Sequence, residues 1–396
     1  MLSRKLAVLV IGAALLAPVP AHAIPAWARR YNVNCNYCHA PVVPRLNATG
    51  YAFRWRGFRM PEEEAIGENQ EVSNISDYVS ARFDFRYTYR KVESEPTAAN
   101  AFDLNNATIF AGGAIGRHFG AFMEFETAID EPVELQNTLY GVWGKEDSYG
   151  GARVGMMHWL LRGSVAGFDR PTGLSAFTPL GSPLTQGGVP FRFAQDELSA
   201  ELFYVKSKNR FSVQLLNGIN AEGIEGHSPN TKDFAVIDQL IYDPYGSGVT
   251  AVAYFGSIDD LDPDVDETAH YQRYAITANK IYKGFEVMGG YVYAKDNDLP
   301  VGAVFNAESV TGYGFWGYAG YTFPNANSLT AYGSYQLINS NTDIDDAGNN
   351  RFLLGLALPV NLPEYLKLVA EYTFDNPRNA DNPNTQAFAV QALLVF

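Results

Sequence analysis

From Asp77 onward the chain alternates. In DYVSARFDFRYTYR, residues 77–90, Val79, Ala81, Phe83, Phe85, Tyr87 and Tyr89 fall on one side, and Ser80, Arg82, Asp84, Arg86, Thr88 and Arg90 fall on the other. A period of two over this length predicts a strand with one apolar and one charged face. The same pattern, interrupted by Gly, Asn, Asp and Pro, predicts further strands near 103–115, 118–128, 134–144, 151–162, 191–206, 210–218, 233–243, 248–257, 270–282, 285–295, 310–323, 328–338, 351–358, 366–374 and 385–396. With the first, these make sixteen.

The connections between them sort by length. Gly116-Arg117, Lys206–Arg210, Lys283-Gly284, Phe323–Asn327 and Pro359–Glu364 are tight, whereas Lys91–Asn100, Gly163–Gly188, Gly218–Lys232, Ser257–Thr268, Ala294–Glu308, Asn339–Asn350 and Asp375–Asn384 are long and polar. The connection near Glu131 alone breaks the rule. A soluble sandwich gives no reason for loops to alternate by parity. An up-and-down barrel of the bacterial outer membrane does, with short periplasmic turns, long external loops and an even strand count. Closure also removes sheet edges that a bilayer would not tolerate. The final strand, QAFAVQALLVF, carries Phe388, Val390, Ala392, Leu394 and the terminal Phe396 on one face. It resembles the assembly signal of outer-membrane barrels. The expected fold class is therefore all-β, a sixteen-stranded antiparallel transmembrane β-barrel in the outer membrane, in contact with its lipids. Aromatic strand ends such as YGFWGYAGYTF, 313–323, are expected in its interfacial girdles.

The first sixty residues follow another pattern. Arg4 and Lys5, an apolar run from Leu6 to about Val19 and then Ala-His-Ala read as a signal peptide over residues 1–23. Residues 24–60 hold six arginines and no acid, while all 43 acidic residues lie beyond Met60. A break this sharp marks a boundary, placed in the polar stretch Pro61–Asn74. Three segments follow: a signal peptide at 1–23, a short N-terminal segment at 24–74 and the barrel at 75–396. The net charge of −14 argues against nucleic acid as a partner.

Both cysteines of the chain stand in NCNYCH, residues 34–39. C-x-x-C-H is the pattern of covalent haem attachment: two thiols add across the vinyl groups of one haem, and the adjacent imidazole becomes an axial ligand. A redox CxxC pair needs a βαβ setting that the sequence lacks. A disulfide across two intervening residues closes too small a loop to stabilise much. Cys35 and Cys38 are thus the candidate attachment sites of one c-type haem, with His39 the candidate iron ligand. The stretch AIPAWARRYNVNCNYCH, Ala23–His39, ahead of a porin-like domain resembles the outer-membrane cytochrome–porin fusions of iron-oxidising bacteria. Ala23, Pro25, Ala28, Arg29, Cys35, Cys38 and His39 match the family's signature. Trp27 stands where the family has Phe, and Arg30-Tyr31-Asn32 stand where it has Gln-Thr-Gly. The resemblance implies a monohaem cytochrome plug lodged in a porin-like barrel. It also implies electron transfer across the outer membrane, inward from an extracellular donor such as Fe(II) to a periplasmic c-type cytochrome or other soluble carrier.

Fifty residues are too few to enclose a haem alone, so the segment needs walls, and a barrel lumen supplies them. Its arginines suit an acidic lumen, with Arg29 and Arg45 the candidate partners of haem propionates. For the second axial position Met60 is one candidate, His158 and His118 are weaker ones, and an open position is the alternative. His158 is expected on a lumen face with Leu160 and Arg162. Acids at 259, 260, 262, 264, 266 and 267, and at 343, 345 and 346, read first as solvated loops. The loop Gly163–Gly188, with Phe168, Asp169, Arg170 and Phe177, resembles the constriction loop of general porins. Three functions stay open: an electron conduit, which as an enzyme would be an Fe(II)-oxidising cytochrome; a diffusion porin with a haem-bearing gating or sensing plug; and an iron-centred enzyme acting on a small molecule such as peroxide.

Overall fold

A computed structural model describes residues 26–40, 42–60, 74–128, 133–145, 147–158, 170–219, 232–259, 268–299, 308–324, 328–361, 365–379 and 381–396. Sixteen antiparallel strands close into one barrel. They are β1 (Val79–Val92), β2 (Ala99–Ile115), β3 (Phe119–Thr127), β4 (Glu134–Lys145), β5 (Ser148–His158), β6 (Asp196–Lys206), β7 (Asn209–Leu216), β8 (Asp233–Ile241), β9 (Gly248–Ile258), β10 (Ala269–Tyr282), β11 (Phe285–Asn297), β12 (Val310–Phe323), β13 (Leu329–Asn339), β14 (Gly348–Asn361), β15 (Tyr365–Pro377) and β16 (Thr385–Val395). Each pairs with its neighbours in sequence, and β1 pairs with β16 from Arg82↔Val395 to Val92↔Thr385.

Burial along the strands is inverted relative to a soluble protein. On β6, Glu201 is 1% exposed while the adjacent Leu202 is 64% exposed. Asp84 is likewise buried on β1, with Phe85, Tyr87 and Tyr89 exposed. Polar residues line the interior and apolar ones face outward, the arrangement a lipid bilayer selects.

The lumen is filled from both ends. On the long-loop side, residues 170–195 turn inward through α3 (Thr178–Gly181), a short helix whose numbering follows α1 and α2 below. Phe177 packs on Trp316 at 5.6 Å and Tyr318 at 6.4 Å between ring centroids. Those two aromatics therefore face the lumen and are not girdle residues, while Phe315 and Phe323 of the same strand face outward. The expected strand 191–206 begins only at Asp196, because Phe191 and Phe193 instead belong to the inward loop, with Phe191 4.5 Å from the Tyr254 ring. Loop and wall side chains merge into one apolar cluster. Leu160, Arg162 and the loop up to Asp169 lie outside the described residues, as do Glu131 and the segments 1–25 and 61–73.

Residues 26–60 occupy the short-turn end. They form α1 (Ala26–Tyr31), a 3-10 turn at Cys35–Tyr37 and α2 (Ala48–Trp55). Tyr51, Phe53, Trp55, Phe58 and Met60 pack with Tyr140, Val142, Tyr149, Phe203, Val205 and Ile241 of the barrel wall. A Cβ on Gly120 would fall 1.9 Å from the Gly57 carbonyl oxygen, so glycine permits this close approach of segment and wall.

The arginines anchor the segment in three ways. Arg45 forms a buried ion pair with Glu286 of β11. Arg59 donates to the Gly116 and Phe119 carbonyls at 2.7 and 2.8 Å, and Arg29 donates to those of Ser76 and Val79. Arg30 lies 4.6 Å over the Tyr78 ring and Arg56 4.4 Å over that of Tyr149. An acidic lumen is thus only part of what receives them. Strand ends and turns present main-chain carbonyls that have no ladder partner, and a guanidinium fork fits these as well as it fits a carboxylate.

The Arg45–Glu286 pair offers a direct test. Glu286→Gln leaves a buried guanidinium unpaired, which costs about 3–5 kcal/mol. Urea unfolding of the protein in micelles is expected to show a lower midpoint for the N-terminal segment. Replacing both partners with apolar residues is expected to restore most of the loss.

Candidate haem site

The 3-10 turn sets the geometry. The amides of Cys38 and His39 both donate to the Cys35 carbonyl, at 3.3 and 3.0 Å. Residues three and four apart on one turn share a face, so both thiols and the imidazole are brought to the same side. Asn47 secures the turn: its amide donates to the Cys38 carbonyl at 2.9 Å, and its side chain donates to the Asn36 and Tyr37 carbonyls. The same side chain caps α2 by accepting from the Gly50 amide at 3.1 Å. A Cβ on Gly50 would come within 2.2 Å of the Cys38 carbonyl oxygen, so only glycine lets α2 rest on the CxxCH turn.

His39 is oriented by the main chain. Its Nδ1 lies 2.9 Å from the Arg45 carbonyl oxygen. A carbonyl can only accept, so Nδ1 carries the proton and Nε2 is left as the basic nitrogen. Burial lowers the pKa of the ring and favours the neutral imidazole, which is the form that binds metals.

Cys35, Cys38 and His39 open on one cavity of about 610 Å³, with apolar walls that include Trp27, Phe53 and Phe58. That volume lies within the ~300–1,000 Å³ range of sites that enclose cofactor-sized ligands. Both cysteines are free thiols. Burial pushes Cys38 up to about 11, so the pair lacks the thiolate character of a redox CxxC. Among the described residues, no three His, Cys, Asp or Glu side chains converge as a metal site. The donor set here is two thiols and one oriented imidazole beside a large apolar cavity. It fits a covalently held haem.

The other sequence candidates separate. Met60 is buried and lines the cavity, and so does Met156 of β5, which the sequence did not single out. His118 is elsewhere, with Nδ1 3.0 Å from the Val142 carbonyl and its ring stacked on Trp143. His158 ends β5, and its side chain lies outside the described residues. Arg29 and Arg45, the expected propionate partners, do not line the cavity and are engaged by carbonyls and by Glu286. The basic residues that do line it are Arg54, Arg82, Arg86, Arg153, Arg170 and Lys367. Of the loop acids, Asp343, Asp345 and Asp346 are exposed, Asp259 accepts from Thr268 at 2.6 Å, and 260–267 lie outside the described residues.

No protein-family model matches the sequence, and no curated protein does. Solved structures match the barrel. The anion-selective porin of Comamonas acidovorans superposes with a TM-score of 0.59 at 10% identity, over 80% of this chain and 98% of that one. The barrel has the porin fold. Salmonella typhi OmpF, in complex with daunomycin, gives a TM-score of 0.56 at 14% identity, over 80% of this chain and 96% of that one. Vibrio cholerae OmpT gives 0.53 at 10% identity, over 80% and 97%. At these identities the likeness to porins concerns the fold alone.

Proposed function

We propose that the chain is an outer-membrane electron-transfer protein carrying one c-type haem. Cys35 and Cys38 would hold the haem through thioether bonds and His39 would ligate its iron. Electrons pass inward from an extracellular donor such as Fe(II) to a soluble periplasmic carrier, a c-type cytochrome being the expected partner. One observation carries this reading: both free thiols and an imidazole whose Nδ1 is tied to the Arg45 carbonyl open on the same cavity inside a membrane barrel.

When bound, the haem supplies reversible one-electron chemistry. The residues of the chain do the rest. The CxxCH turn fixes attachment and Arg45 fixes the imidazole through its carbonyl. Met60, which lines the same cavity, would be the candidate for a second iron ligand, an open position being the alternative. Trp27, Phe53 and Phe58 form an apolar wall of the cavity, and the barrel strands enclose it on its other sides.

The porin fold favours a second reading, a diffusion pore with a haem-bearing gating or sensing plug. Residues 26–60 and 170–195 pack against the barrel wall and narrow the lumen, leaving the cavity that either reading would use.

The test is stopped-flow absorbance of the oxidised protein in liposomes with Fe(II) supplied only outside. Rapid reduction of the haem, lost in His39→Ala, is expected. Reduction by a small membrane-permeant reagent but not by external Fe(II) would reject iron as donor and bring the porin reading forward.

A further inference from the structure

We propose that Arg54 and Arg153 form a carboxylate clamp on the β4–β5 side of the cavity, and that its ligand is a haem propionate. This rests on the haem reading above and adds an assignment to residues that reading does not use.

The cavity has two chemically distinct sides. Cys35 lies near Tyr365 and His39 near Lys367, both on β15. Arg54, from α2, and Arg153, from β5, meet at Tyr140 of β4, and both line the same cavity. In the order of strands around the barrel, β16 and β1 to β4 separate β15 from β5.

The charge at this second side is unbalanced. Arg153 donates to the Tyr140 hydroxyl at 3.3 Å, and Arg54 bonds the same hydroxyl, so two guanidinium groups meet at one phenol. Glu201 is shared between Arg153 at 2.7 Å and Arg210 at 2.9 Å. Two guanidinium groups therefore share that carboxylate, and Arg54 joins Arg153 at the phenol. Elsewhere on the wall the cations are matched: Arg82 meets Glu124 and Glu126, and Arg86 meets Asp84. Lys367 is held by the carbonyls of Val43 and Thr172. At Tyr140 two guanidinium groups stand side by side on the cavity wall, and Glu201 pairs with one of them, Arg153.

A ligand with carboxylates at one end suits this arrangement. The vinyl and propionate groups of haem occupy opposite edges of the macrocycle. A thioether bond at Cys35, beside Tyr365 of β15, turns the propionate edge away from β15 and towards Arg54 and Arg153. Guanidinium forks bind carboxylates in paired, charge-assisted hydrogen bonds. One propionate there relieves the repulsion between Arg54 and Arg153.

The experiment uses full-length holoprotein in detergent, with Arg54→Gln and Arg54→Lys as variants and heat-modifiable gel migration to confirm the folded barrel. Both variants are expected to keep the haem, because the thioether bonds are untouched. At a fixed redox poise, the ratio of reduced to oxidised haem is expected to fall about tenfold in Arg54→Gln, since a positive charge that favours the electron is gone. Loss of the cation also raises the propionate pKa, so the midpoint of Arg54→Gln is expected to become pH-dependent between pH 6 and 8. Arg54→Lys should restore most of both effects. A haem-loaded Arg54→Gln with wild-type midpoint and pH profile would overturn the clamp. So would an equal loss in Arg54→Lys with a flat pH profile, which marks a packing role. Wild-type protein without covalent haem would instead defeat the underlying haem reading.

Discussion

Cys35→Ala combined with Cys38→Ala is expected to remove covalent haem from the protein completely. Thioether bonds survive denaturation, so the wild-type band should stain for haem on a denaturing gel and the double variant should not. The prediction is sharp because these are the only cysteines in the chain. Either single variant retains one thiol beside the cavity and is expected to keep a weaker stain. The barrel should be indifferent to all three changes, since neither cysteine belongs to a strand. Heat-modifiable migration should therefore be the same in every sample. Stain that persists in the double variant would reject Cys35 and Cys38 as the attachment sites.

The second large effect concerns ion flow. Full-length protein in planar bilayers is expected to conduct poorly, and a chain that begins at Ser73 is expected to conduct more. The gain should be partial. Removing residues 26–60 vacates the side walled by Tyr140, Tyr149, Phe203 and Val205, but Phe177, Phe191 and Phe193 remain packed against the other wall. Removing both 26–60 and the inward part of 170–195 should give the larger pore. Equal conductance of the full-length and shortened proteins, with both barrels heat-modifiable, would mean that the N-terminal segment does not obstruct the lumen.

Much of this fold can be read from period two. A residue on a lipid-facing or lumen-facing position announces its side through its polarity, and loop parity then gives strand count and closure. What periodicity cannot show is which apolar residue meets lipid and which meets a loop folded into the lumen. Trp316 and Phe315 are chemically alike and adjacent, yet Trp316 is 3% exposed against Phe177 while Phe315 faces outward. Phe191 and Phe193 extend the alternation of β6 into a segment that is not a strand, for the same reason. The CxxCH turn is legible because its spacing is local. The partners of the arginines are not, because Arg45 and Glu286 are 241 positions apart and only the closed barrel brings them together. Composition indicated an arginine-rich segment in an acidic chain. It could not indicate that Arg29 and Arg59 would choose carbonyls, or that Arg54 and Arg153 would share Tyr140.

The pairing of β1 with β16 also dictates a sequence of events. Residue 82 cannot meet residue 395 until the whole chain has been exported, and that pairing completes the wall around Cys35 and Cys38. Enzymes that join haem to a CxxCH motif need the thiols within reach. In the finished protein both thiols are half-buried, with α2 resting on the Cys38 carbonyl and Cys35 near Tyr365 of β15. On the haem proposal, the expected order is cofactor ligation on an open periplasmic chain first and barrel closure second. Barrels closed without haem are then expected to take up little covalent haem from a later supply, which haem staining on a denaturing gel would check.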